Sequence, residues 1–293
     1  MVLAVVGAVG LVDLTDVEQF LVGAAGVVLL ALTVDAGERR RLLNEHARLL
    51  HTMKMVARAV ETREIAADEI RPQLEDLLES SWEWLFKGGS ARFLRSGTLP
   101  SLATHVDRDV NVHIQVLDPR ERQLCDEYGR YRFRQGRSRG SSGDEIRRIQ
   151  ADLLATVYSA AWYRANHRVR PTLLLLREFS PLRYDMGSRG VVVTISDLSQ
   201  PGLYASSDSY YRSVKDELLQ ARHGNPFVDL PTRGDLFPTP IASVSPDLVR
   251  EALEASEVVA PDGSRTPLLS GAVAPATLDF DLIARSVTHP DAR

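Results

Sequence analysis

The sequence contains one cysteine in 293 residues, which excludes an internal disulfide framework and a cysteine-rich zinc site. Cys125 lies in the helical stretch Leu124-Cys125-Asp126-Glu127-Tyr128 and is read as a packing thiol in preference to a reactive one. A dominant charge sign is lacking too. The net charge is -4, which argues against non-specific coating of nucleic acid but leaves local basic clusters able to hold phosphates. No repeat at a fixed period occurs, so solenoids and propellers are excluded. There is no His-x-x-x-His pair and no carboxylate cluster, so a hydrolytic metal has no ligand set and no metal is expected. His46 and His51, five apart, do not share a helix face and are read as solvated. One Gly-x-Ser-x-Gly match, Gly136-Arg137-Ser138-Arg139-Gly140, has no apolar strand before it and is read as coincidence.

Apolar runs of bilayer length are also missing. Met1 to Leu14 and Phe20 to Val34 are apolar, separated by Asp13, Asp16 and Glu18, and each falls short of the roughly 20 residues that span a bilayer comfortably. A secretory signal does not fit, because no basic residue precedes the first run. The expectation is a membrane hairpin of two short helices over residues 1–36, contacting the lipid bilayer. Arg39, Arg40 and Arg41 lie on the inner side, which leaves the bulk of the chain cytoplasmic at the cell inner membrane. Two core helices of a soluble domain are the alternative. Gly23, Ala24, Ala25 and Gly26 allow close helix packing, and a homo-oligomer is expected. Residues 37–74 carry charges interleaved with Leu42, Leu43, Leu49, Leu50, Met53, Val56 and Val60, the pattern of an amphipathic helical stalk.

From residue 75 to 222 the pattern changes. Trp82 to Phe86 reads as an aromatic strand that breaks at Gly88-Gly89-Ser90 into a helix, and Asn111 to Leu117 is an apolar strand. Helical spacing covers Arg120 to Tyr131 and Ile146 to Tyr163, with Asp144 as a helix cap. Thr172 to Leu176 and Gly190 to Ser196 are further strands, and Tyr210 to Arg222 is a helix. Strands alternating with helices predict an α/β fold with a mixed central sheet flanked by helices. Residues 223–293 are rich in proline and read as an extended segment with one short helix at Pro246 to Leu253, capped by Ser245. Phe280, Leu282 and Ile283 are its expected docking residues.

The candidate ligand-binding residues are Lys87, Gly88, Gly89, Ser90, Arg92 and Arg95, where a glycine break, a helix start and flanking cations suit a phosphate or carboxylate. The competing reading is that the glycines serve strand-helix packing and the arginines face water. Arg177, Arg183 and Tyr184 are second-rank contacts. Arg130, Arg132, Arg134, Arg137 and Arg139 interleave with Tyr131 and Phe133, a composition that suits single-stranded nucleic acid or anionic lipid, or a solvated loop between helices. No catalytic residue and no cofactor is assigned.

The run WEWLFKGGSARFLRSGTLPSLA, followed by VNVHIQVLDPRERQLC, resembles the opening of a phospholipase D-like domain: strand, small-residue break, helix, strand ending in Asp-Pro. The likeness covers about residues 75 to 222. Such proteins cleave phosphodiesters with a His-x-Lys-x4-Asp motif, usually supplied twice, and this sequence has no His-x-Lys. Its nearest approximation is His167-Arg168-Val169-Arg170, with no correctly placed Asp. Where a motif would fall between the last strands stands Ser180-Pro181-Leu182-Arg183-Tyr184-Asp185-Met186-Gly187-Ser188. The resemblance therefore implies a catalytically degenerate domain. Behind a membrane hairpin it implies a sensor or effector for a phosphorylated, nucleotide or oligonucleotide ligand or a partner, the layout of bacterial signalling and anti-phage effectors. The alternatives are an active phosphodiesterase using His167 or His113, and a structural interaction module.

Overall fold

The aromatic strand Glu83–Lys87 (β2) lies inside a sheet of ten described strands. In a computed structural model of the protein, the residues described are 62–104, 108–134, 142–195, 200–206 and 209–289, within the unit Val60–Arg293. The expected membrane hairpin at 1–36 and the stalk from 37 to 61 lie outside them. Among the described residues no helix is long and apolar enough to cross a membrane.

Chain order explains the layering. After β2 come a π-helical turn, Leu94–Thr98, and the helix Leu99–Ala103 (α2). The strand Val110–Leu117 (β3), the helices Arg122–Arg134 (α3) and Ser142–Asn166 (α4), and the strand Val169–Leu176 (β4) follow. β2, β3 and β4 are parallel neighbours, the arrangement that helical crossovers produce. Arg183–Met186 (β5), Gly190–Thr194 (β6) and Gly202–Ser206 (β7) extend the sheet antiparallel from β2. The helix Ser209–Gly224 (α5) then crosses the far face. The mixed α/β sheet flanked by helices that the sequence predicts is therefore present.

Two boundaries differ from expectation. Thr62–Ile65 (β1) is not helical stalk but a strand paired with β7, and Ala67–Ser80 (α1) buries Ile70, Leu74, Leu77 and Leu78 in the core. The Glu69 carboxylate starts that helix by accepting the Ala66 N–H at 2.9 Å. Residues 223–293 are likewise integral. Phe227–Asp229 (β8), Glu257–Val259 (β9) and Arg265–Pro267 (β10) continue the sheet beyond β4. Pro246–Glu254 (α6) and Phe280–Thr288 (α7) pack on α4. The expected Ser245 cap forms, its hydroxyl accepting the Leu248 N–H at 3.3 Å.

Period-two alternation divides the sheet residues between two faces. Trp84, Phe86, Val112, Ile114, Leu173 and Leu175 join the main core under α4, α1 and the C-terminal helices. Leu85, Leu174, Met186 and Val193 are buried apart from that cluster, as are Val214 and Leu218 of α5. From Ile149 to Tyr163 α4 is buried on every side, as a central helix is. Its Tyr158 hydroxyl donates to Leu236 O and its Trp162 indole to Pro238 O, both at 2.7 Å. Arg164 donates to Leu230 O and Pro231 O, and Asn166 to Phe237 O. These bonds hold segment 230–238 along the helix as a strap.

Candidate functional site

The three parallel strands end together where the Gly-Gly-Ser loop leaves β2, the position at which open α/β sheets offer a crevice. The Gly88 N–H is already used, donating to Gln115 O at 3.0 Å, and the Leu117 N–H donates to Gly89 O at 3.4 Å. A Cβ on Gly89 would overlap the ring and hydroxyl of Tyr128, and one on Gly88 would lie 2.8 Å from Phe86 Cζ. Gly89 lets α3 bring Tyr128 down onto the loop, and Gly88 leaves room for the Phe86 ring. Both glycines are therefore required by packing, while the other half of the competing reading, arginines facing water, does not hold for Arg95, whose side chain is buried.

Beyond them the backbone is costly. Ala91 adopts φ 55°, a left-handed conformation that disfavours a residue with a Cβ by about 1–2 kcal/mol. The π-helical turn Leu94–Thr98 follows within three residues. Arg92 lies between the two features.

Buried polar bonds hold this segment. Arg95, its side chain 1% exposed, donates to Ser90 O at 3.1 Å, Asp152 O at 2.5 Å and the Thr156 hydroxyl at 2.6 Å. Its second terminal nitrogen reaches Asp152 Oδ1 at 2.8 Å. The Thr156 hydroxyl also donates to Ser90 O at 3.0 Å. Arg95 is therefore a scaffold residue and not a ligand contact. Arg92 donates to Asp152 Oδ2 at 2.5 Å and keeps 31% of its side chain exposed. Burial lowers its pKa, but the Asp152 charge and hydrogen bond outweigh that, and the net shift is upward. Arg92 is thus a fixed cation with an open side.

Beside it, Arg132 pairs with Glu145 at 3.4 Å and sits over the Tyr128 ring at 5.9 Å. Phe179, from the loop after β4, packs on Tyr128 and Tyr131 with centroids 5.4 and 4.9 Å away. α3, α4 and the loop after β4 thus meet around the loop after β2.

The remaining candidates go elsewhere. Lys87 and Tyr184 are register partners on the α5 face, where the Lys87 amine lies 5.7 Å from the ring centre and 3.1 Å from Glu217. Arg183, next in the chain to Tyr184, points to the opposite face. It pairs with the fully buried Asp185 at 2.5 Å and stacks 4.7 Å from the Phe93 ring centre. Alternation within β5 therefore separates residues that the sequence grouped together. Arg177 is exposed just beyond β4.

Arg130 pairs with Asp126 one helical turn away, and Arg134 donates to Arg130 O. Arg137 and Arg139 lie outside the described residues. Asp144 is inside α4, paired with Arg147, because the helix starts earlier, at Ser142. Cys125 is fully buried, and burial with the Asp118 and Glu121 charges pushes its thiol up to about 12. Asp152 and Thr156 escaped the sequence reading. Their signal is an acid and a hydroxyl one turn apart within the mostly apolar stretch Ile149 to Tyr163.

The two histidines of the phosphodiesterase alternative do not meet. His113 is on the α5 face of β3, 3.9 Å from Glu83. His167 stacks on Trp162 and Tyr163 of α4, before the start of β4 and so at the opposite end from the crevice.

No family model matches the chain, and no curated relative does. Among solved structures it is similar to TrmBL2, an archaeal chromatin protein whose structure shows a novel mode of DNA binding. The identity is 14%, the match covers 70% of this chain and 66% of that one, and the TM-score is 0.33. A TM-score that low assigns neither fold nor function to this chain.

Proposed function

We propose that the chain is a ligand-binding sensor or effector whose α/β domain is a catalytically degenerate phospholipase D-like domain. Arg92 is its contact to a phosphorylated or nucleotide ligand. The observation that carries this reading is the expenditure of backbone strain around one half-open arginine: Ala91 at positive φ before it and a π-helical turn after it. Strained residues and π-turns concentrate at functional sites. Arg132, paired with Glu145 beside Tyr128, is the second cation of the site. In this proposal residues 1–36 anchor the protein in the inner membrane, the domain is cytoplasmic, and copies associate through the anchor.

Thermal shift across nucleotides, cyclic oligonucleotides and short single strands tests it. A stabilising ligand whose effect disappears in Arg92→Ala is expected. If His167→Ala abolished a measurable nuclease or lipase turnover, the sensor reading would fall to the enzyme reading.

A further inference from the structure

We infer that Asp152 is the positioning residue of this site: its buried carboxylate fixes one oxygen on Arg95 and uses the other to hold Arg92 toward a ligand. The inference rests on the binding reading above and adds how that site is preorganised. Asp152 is 3% exposed on its side chain, and each oxygen serves a different arginine, Oδ1 for Arg95 at 2.8 Å and Oδ2 for Arg92 at 2.5 Å. Arg95 does not depend on that carboxylate alone, since Ser90 O, Asp152 O and the Thr156 hydroxyl also accept from it. For Arg92 the Asp152 oxygen is the hydrogen-bond acceptor that sets its direction.

A guanidinium has five N–H donors in a planar fork, so those not directed at Asp152 remain for an anion. Two arginines on one carboxylate leave one positive charge over. That charge lies on the member with the exposed edge. Holding a long side chain in its bound direction before the ligand arrives removes part of the ordering cost of binding. A carboxylate that only balanced Arg95 would have no need to reach Arg92.

The test is calorimetric titration of inorganic pyrophosphate into the full chain, comparing wild type, Asp152→Asn, Arg92→Ala and the double variant. Asp152→Asn is expected to weaken binding about tenfold (~1.4 kcal/mol) in the wild-type background and to change nothing further in the Arg92→Ala background. Equal effects in both backgrounds, or a lowered melting temperature with unchanged affinity, would make Asp152 purely structural and overturn the inference. A wild type that binds neither pyrophosphate nor any compound of the panel would defeat the binding reading itself. Because Asp152→Asn disturbs a buried network, a second measurement uses the wild-type chain without ligand. Nitrogen NMR of the Arg92 guanidinium, assigned by its loss in Arg92→Lys, should show restricted rotation, and a signal averaged like that of a solvated arginine would overturn the proposal.

Discussion

Arg92 and Arg95 stand one helical turn apart, and the sequence offers no reason to treat them differently. The difference comes from Asp152, 60 and 57 positions further along the chain, and from Thr156 one turn beyond it. Such non-local partners leave no local pattern, so the sequence singled out this loop but could not say which cation stays open. Removing one partner of a buried, hydrogen-bonded ion pair typically costs about 3–5 kcal/mol. Arg95→Ala should therefore destabilise the domain by about that amount in urea denaturation. Arg92→Ala should cost clearly less, because Arg92 is 31% exposed, whereas Arg95 is buried and its loss also strips Ser90 O, Asp152 O and the Thr156 hydroxyl of a donor. Equal losses for the two variants would mean that the burial difference does not govern their roles. The glycines were legible as a steric requirement, but the ring that imposes it at Gly89, Tyr128, lies on α3, far along the chain.

Elements were legible where apolar residues run together. β3, β4 and β6 are dense in branched side chains, and α4 has a long apolar pattern. β5 was hidden because Arg183-Tyr184-Asp185-Met186 looks like a polar turn. It is a buried strand because its two charges neutralise each other on one face while Tyr184 and Met186 fill the other. β8, β9 and β10 are three residues each, too short for alternation to show.

On the α5 face, burial lowers the pKa of His113, with Arg222 and Lys215 of α5 adding to the effect and Glu83 of β2 opposing it. The folded state thus binds this proton less readily than the unfolded state. Stability supplied by the neutral ring is complete above the ordinary value of about 6.5 and is lost as pH falls from there toward the folded-state pKa. The urea midpoint should decline as the solution is acidified through this window, and His113→Gln should flatten the decline. A variant with the same pH slope as wild type would show that other groups carry it. His167, also lowered by burial, adds a term of the same sign.

At the scale of the whole molecule, the C-terminal part decides whether the core exists. Val228, Leu236, Phe237, Val249, Leu253, Ile283 and Val287 are buried and belong to the same cluster as the apolar residues of α4. A chain ending at Gly224 would expose one side of that helix along with a sheet edge. It should lose cooperative thermal unfolding and bind a hydrophobic dye, as a partly collapsed state does. A sharp melt for that shortened chain would restore the sequence-based picture of an extended segment laid over a domain complete without it. Proline richness suggested such a segment. The physical reason it is integral is that Pro231 and Pro238, lacking an N–H, still present carbonyls, and α4 supplies the donors.

Those donors recognise main-chain oxygens, which every amino acid carries. Apart from Leu230, Leu236 and Phe237, whose side chains are enclosed, the identities of residues 230–238 are only loosely constrained by this grip. Drift in that stretch among distant cousins of the protein would be compatible with an unchanged architecture, whereas loss of Trp162 or Arg164 would not.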